Sequence, residues 1–299
     1  MQTSGSNQII AKMMGGNTEQ FLDAIWRRRT SVARNCLTEL RSFYSISQFM
    51  EDYSRSDYHA ATLVIDTTGG ARRFTVPTSS GVVSQALKRG LSIALQALQL
   101  PDDWRGMPEK WKGMNELHSS LCRYFLPGMP TSRFLGAPVS SVDIFCTLTS
   151  STTGGHHDTG DVFFLPLEGE KVWTVEFEPD LNIANNPVKL RLLSGMDLEP
   201  ANETTTVTLS PGDCLYMPPH TYHRVCSEGP SLAVSFGLPA FNAIHLLAYQ
   251  LSSLARRAEF TKPLPSAPEN GADLYPSAKA EQRRQLRGLL EVLMKQLDT

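Results

Sequence analysis

Asp161-Val162-Phe163-Phe164-Leu165-Pro166-Leu167-Glu168-Gly169-Glu170-Lys171-Val172-Trp173-Thr174-Val175-Glu176-Phe177 sets two β-rich runs on either side of a Glu-Gly-Glu turn. In the second run Lys171, Trp173, Val175 and Phe177 share one face and mostly polar side chains the other, which is the period of a half-buried strand. Working outward, the runs Val142 to Thr147, Thr205 to Leu209, Cys214 to Met217 and Ser231 to Leu238 are also short, β-rich and separated by turn clusters. Strands of this length and spacing predict an antiparallel double-sheet barrel, the jelly-roll architecture.

Helical patterns flank the barrel, so the expected fold class is α+β: a double-stranded β-helix core with N-terminal helices and a C-terminal helical extension. The expected divisions are 1–135 for a mixed part packing on the barrel, 136–240 for the barrel and 241–299 for the extension. Thr18 caps a helix carrying Phe21, Leu22, Ile25 and Trp26, and Ser45 precedes another with Ile46, Phe49, Met50 and Tyr53. Short strands are expected near Ala61 to Ile65 and Ala71 to Val76. From Gly81 to Phe125 the patterns read as helical, clearest at Met114, Leu117, Leu121 and Phe125, with breaks at Pro101 and Pro108. Ile244, Leu247, Leu251 and Leu254 make a helical stripe. After a proline-rich link, Leu286, Leu289, Leu290, Leu293 and Leu297 form a leucine seam that docks on its own domain or on a second copy, making a homodimer the working expectation.

With 299 residues, 41% of them hydrophobic, the chain can bury a full-sized core. A formal charge of −2 gives no global field to attract nucleic acid, and the run Arg27 to Arg29 reads as a solvated helix face. Cys36, Cys122, Cys146, Cys214 and Cys226 are an odd number without a CxxC pair, against a disulfide framework or zinc knuckle and in favour of a reducing compartment. No signal-type apolar segment lies in 1–16 and no run approaches the ~18 apolar residues of a membrane span, so a cytoplasmic protein is expected.

The chemistry concentrates in two segments. In Gly154-Gly155-His156-His157-Asp158-Thr159-Gly160, His156 and Asp158 are two apart on an extended chain, so an imidazole and a carboxylate point to one face. Alone this triplet is weak, and a satisfied surface histidine is the competing reading. The second segment, Ser210 to His223, is a tight turn, an apolar strand and a Pro218-Pro219 turn that delivers His223, with His220 as a rival. Two histidines and a carboxylate from neighbouring strands form the facial set that leaves three cis positions open on Fe(II). Lys171 is a cation on an apolar face; it meets a ligand anion or lies near the strand end and snorkels to water. Along Ser231 to Leu238 small residues alternate with large ones, and Ser235 either donates a hydrogen bond to a ligand or simply packs. His157 points away from the pair, Asp161 starts a strand and reads as a turn residue rather than a ligand, and Trp173 reads as core. His59, His118 and His245 have no partner pattern, and Cys214 and Cys226 read as small buried hydrophobes.

The chain resembles the JmjC-domain cupin oxygenases, in the branch that contains the ribosomal oxygenases. The resemblance rests on His156-x-Asp158, Asp161-Val162-Phe163, Leu167 to Trp173, Leu209 to Asp213, Pro218-Pro219 and His223 in that order, and on Phe21 to Arg29. It implies that His156, Asp158 and His223 bind Fe(II), that Lys171 pairs with the distal carboxylate of 2-oxoglutarate, and that O2 is consumed. Where relatives carry asparagine and tyrosine on the strand before the H-x-D pair, this chain offers Asp143 and Phe145, an altered part of the co-substrate pocket. No winged-helix domain is expected after the C-terminal helices.

The function implied is hydroxylation of an unactivated C–H bond of a small molecule, amino acid or peptide, with release of succinate and CO2. A protein side-chain hydroxylase or demethylase of the ribosomal type is the alternative within the class. A metal-binding cupin without turnover is the alternative outside it, and a cupin dioxygenase or isomerase that needs no 2-oxoglutarate is a weaker one; the buried lysine weighs against both.

Overall fold

The computed structural model describes residues 3–55, 60–65, 72–77, 80–90, 92–98, 108–126, 141–179 and 198–240, with 284, 287, 288, 290 and 291. Residues 1–132 with 138–240 form one compact unit; 133–137 with 241–299 form a second, whose described residues are helical. Of the leucine seam only Leu290 is described, and the stripe from Ile244 to Leu254 lies outside the described residues.

Twelve strands are described in the first unit: β1 (Ser31–Ala33), β2 (Ala60–Ile65), β3 (Arg72–Pro77), β4 (Ser92–Leu98), β5 (Ser141–Thr147), β6 (Ser151–His157), β7 (Gly160–Glu168), β8 (Lys171–Glu176), β9 (Thr204–Leu209), β10 (Cys214–Met217), β11 (Tyr222–Ser227) and β12 (Ser231–Pro239). They make an eight-stranded sheet in the order β1-β10-β7-β12-β5-β4-β2-β3 and a four-stranded sheet in the order β6-β11-β8-β9. All pairings are antiparallel. Strands β5 to β12 are the jelly roll. The N-terminal strands do more than pack on it, because β4 pairs with β5 and β1 with β10 in the same ladder.

Inside, Val162, Phe164, Trp173, Val175, Leu215 and Met217 share one buried cluster between the sheets. Each contributes about 2 kcal/mol by leaving water. On the other face of the large sheet, Phe163 and Tyr216 meet Phe21 and Trp26 from the N-terminal segment and Phe125 from helix α5 (Glu109–Phe125). The Trp26 and Phe125 rings stack with centroids 4.1 Å apart. This aromatic layer fixes the N-terminal segment to the barrel, and each such pair adds about 1 kcal/mol beyond burial.

The remaining α-helices described in the first unit are α1 (Thr3–Met13), α2 (Thr18–Ala24), α3 (Ile46–Arg55) and α4 (Ser80–Lys88), with a 3-10 turn at Thr38–Ser42. The α2 cap is Asn17, whose side chain accepts from Gln20 N at 3.0 Å, one residue before the expected Thr18; Trp26 lies beyond the helix end. Ser45 does begin α3 through a reciprocal capping box: Gln48 N donates to Ser45 Oγ at 3.2 Å and Ser45 N to Gln48 Oε1 at 3.1 Å. Ile46 N also donates to Glu168 Oε2 at 2.5 Å, tying the helix start to the end of β7. Between α4 and α5 the structure has β4 where the sequence suggested helix. Ile93, Ala94 and Leu95 are all buried, and a short continuous apolar run lacks the periodicity that separates the two states. Among the described residues no helix is long and apolar enough to cross a membrane.

Candidate functional site

Strands β6 and β11 run antiparallel with His156 directly opposite His223, so both imidazoles emerge on one face with ring centroids 4.1 Å apart. Asp158 follows the last residue of β6 rather than lying within it. Its carbonyl accepts His220 N at 2.7 Å, and its Oδ2 lies 3.5 Å from His223 Nε2. One donor atom from each of the three lies within 4.8 Å of the others. His223 is 4% exposed against 45% for the Asp158 carboxylate, so the cluster is open to substrate on the carboxylate side.

The backbone sets the tautomers. His156 Nδ1 is 2.8 Å from Gly154 O and His223 Nδ1 is 3.1 Å from Thr221 O. A carbonyl only accepts, so each Nδ1 carries the proton and each Nε2 presents its lone pair to a cation. Two imidazole nitrogens and one carboxylate oxygen suit Fe(II) with positions left for other ligands; a closed structural zinc site uses four protein donors. His157, on the opposite face, donates from Nδ1 to His220 O at 3.0 Å and packs edge-on against Tyr222. His220 itself adopts a left-handed backbone (φ 65°) and stands outside the three-residue cluster.

A second carboxylate stabilises the frame around these donors. Glu176, fully buried at the end of β8, accepts Ala201 N and Asn202 N on Oε1 at 2.8 Å and Tyr222 N on Oε2 at 3.2 Å. It thereby joins the 198–202 segment to the start of β11, one residue from His223. The same segment lies against β6, where Leu198 N donates to Gly155 O at 2.8 Å. Only glycine fits at 155, because a Cβ there would overlap both Leu198 O and Tyr222 Oη.

A cavity of about 260 Å³ opens beside the three donors. They line it together with Lys171, Ser235, Asp143 and Phe145, so the structure brings all seven residues named from the sequence to one space. Lys171 is 7% exposed and belongs to none of the ion pairs among the described residues. Burial pushes its ammonium down from the ordinary 10.5 to about 8, against a partial offset from the thiols of Cys146 and Cys226. Ser235 is 8% exposed and stands opposite Asp143 on β5 and Phe164 on β7. Asp143 Oδ2 accepts from Ser141 Oγ at 3.0 Å, and the Phe145 ring faces Phe164. Trp173 is core, as expected, and also lines the cavity.

Residues 132–246 match the family model described as JmjC domain, a span that contains the three donors, Lys171, Ser235, Asp143 and Phe145. The barrel is of the JmjC type. A 28-residue stretch is 68% identical to the Jumonji C domain-containing protein 5 of Drosophila melanogaster, covering 9% of this chain and 7% of that protein. Among solved structures, E. coli ycfD superposes with a TM-score of 0.59 at 20% identity, over 92% of this chain and 67% of that one. The E. coli ribosomal oxygenase YcfD in complex with cobalt and 2-oxoglutarate gives 0.57 at 20% identity, over 92% and 66%. At this identity the likeness is one of fold: the JmjC barrel and its N-terminal additions.

Sequence reading missed one buried cluster on the other face of the large sheet. Asp161 lies at the start of a strand as expected but is fully buried rather than in a turn, and the partly exposed Arg27 is paired rather than part of a solvated face. Arg27 Nε pairs with Asp161 Oδ2 at 3.0 Å, Tyr216 Oη donates to Asp161 Oδ1 at 2.7 Å, and Arg27 N donates to Tyr216 Oη at 2.8 Å. Burial raises the Asp161 carboxyl to about 6, although Arg27 and Tyr216 both pull it down. Nothing in local spacing pairs residue 27 with residue 161; only the long-range fold does.

Proposed function

We propose that the protein is an Fe(II)- and 2-oxoglutarate-dependent oxygenase that hydroxylates an unactivated C–H bond of a small molecule, amino acid or peptide. The observation that carries this reading is Lys171: a buried lysine that lines the same cavity as three convergent metal donors and has no carboxylate partner among the described residues. A scaffold that only held a metal would gain nothing from a buried cation whose ionised state is costly.

His156, Asp158 and His223 would hold the iron. Bound Fe(II) with O2 supplies the oxidising power by which 2-oxoglutarate becomes succinate and CO2 and one oxygen atom enters the substrate C–H bond. Lys171 keeps its proton and pairs with the distal carboxylate, in a site where exclusion of water strengthens the pair. Ser235 donates a hydrogen bond to the same ligand, and Asp143 and Phe145 on the neighbouring strand form the wall beside it. Phe164, Trp173 and Met217 keep the inner wall dry, which protects the reaction from water.

A cavity of about 260 Å³ lies just below the size of most small-molecule sites, roughly 300–1,000 Å³, so beside the co-substrate it admits a small molecule or only the end of a larger one. That size and the fold likeness to a ribosomal oxygenase support a second reading, in which the group hydroxylated or demethylated is a protein side chain. The test is aerobic incubation with Fe(II) and 2-oxoglutarate. Succinate is expected from the wild type and not from Asp158→Ala or His223→Ala. Iron binding by both variants equal to wild type would overturn the assignment of the donors.

A further inference from the structure

Strand β4 lies outside the span that matches the JmjC family, yet Ser92 and Ile93 at its start line the cavity. The Ser92 hydroxyl is buried and makes no hydrogen bond. A buried hydroxyl without a partner is unfavourable unless a ligand supplies one.

The sheet register shows which part of the cavity it serves. Ile93 pairs with Cys146 on β5, Cys146 with Leu232 on β12, and Leu232 with Glu168 at the end of β7. Ser92 flanks one end of that rung. At the other end the chain turns at Gly169, whose backbone is left-handed (φ 71°), and Lys171 begins β8. Ser92 and Lys171 therefore lie at the same end of the barrel, and the effect of the Cys146 thiol on the Lys171 ammonium agrees with this. On β5 the cavity at this end is lined by Phe145, which offers no hydrogen bond, and by the Cys146 thiol, a weak donor. The nearby hydroxyls of Thr152 and Thr153 already donate to Val225 O at 3.3 and 3.2 Å.

We propose that Ser92 is a co-substrate-binding residue, donating its hydroxyl hydrogen to the carboxylate that Lys171 neutralises. The proposal rests on the 2-oxoglutarate reading and adds that the N-terminal strand completes a pocket the JmjC span alone lacks.

The experiment is calorimetric titration of the full chain loaded with Co(II), without turnover, using 2-oxoglutarate and 2-oxopentanoate. The second ligand keeps the metal-chelating end and replaces the distal carboxylate by a methyl group. Ser92→Thr and Ser92→Val have nearly the same shape and differ in the hydroxyl, so any packing disturbance is common to both. The expected result is that Ser92→Val binds 2-oxoglutarate about tenfold more weakly than Ser92→Thr, with 2-oxopentanoate affinity equal in the two. Equal 2-oxoglutarate affinity, or the same loss for both ligands, overturns the role of Ser92 and leaves the function intact. A wild type that binds no 2-oxoglutarate overturns both.

Discussion

At the scale of single residues, Lys171 sets ligand affinity against stability. Its ammonium is held at about 8 when folded and near 10.5 when unfolded, a displacement of about 3 kcal/mol. The folded pKa is the lower, so the penalty is absent above 10.5, grows as pH falls towards 8 and is complete below 8. Lys171→Met should therefore resist urea better than wild type at pH 7, by up to about 3 kcal/mol, with the advantage gone near pH 10.5. A distal carboxylate reverses the balance by favouring the charged form. In the wild type the 2-oxoglutarate Kd should be flat below pH 8 and rise about tenfold per pH unit above it, with proton uptake visible by calorimetry in buffers of different ionisation heat. Gly155 is constrained in another way: Gly155→Ala pushes a methyl into Leu198 O and Tyr222 Oη, and should cost about 2 kcal/mol while weakening metal affinity.

At the scale of elements, Glu176 decides how β8, β11 and the 198–202 segment sit against one another. Glu176→Ala leaves three backbone N–H groups without their acceptor, and should destabilise the protein by about 3 kcal/mol; Co(II) titration should show weaker binding because the start of β11 carries His223. Neither this role nor that of β4 is legible in the sequence. Alternation exposed β8 with Lys171 on its inner face, because a half-buried strand writes its period into the chain, whereas β10, buried along its whole length, was bounded at Cys214 and Met217 by the turn residues on either side. In β4 the residues Ile93 to Leu95 are buried on both faces, so the period vanished and Ser92 was not recognised. Asp161 misled for a related reason: an acid beside Gly160 resembles a turn until a distant arginine is known to lie over it.

At the scale of the whole molecule, the N-terminal segment is part of the barrel's construction. Arg27 seals Asp161 and also lies 3.3 Å from Pro239 O at the end of β12. Arg27→Ala should destabilise the protein by about 2 kcal/mol at pH 8, less than for a fully buried pair because Arg27 is partly exposed. The loss should shrink at pH 5, where the Asp161 carboxyl becomes neutral, and paired urea melts at the two pH values check it. The convergence of His156, Asp158, His223 and Lys171 was legible because strand spacing and turns place them locally, whereas the frame around them is set by Glu176 and Leu198, whose contacts to Tyr222 and Gly155 join segments distant in the chain. The central claim is that one cavity joins a metal to a buried lysine through 2-oxoglutarate. Its most direct test is anaerobic titration of the Fe(II)-loaded wild type and Lys171→Ala with 2-oxoglutarate. The account predicts binding by the wild type and a loss of at least about thirtyfold in the variant, with Fe(II) affinity unchanged. Equal binding by the two proteins would contradict it.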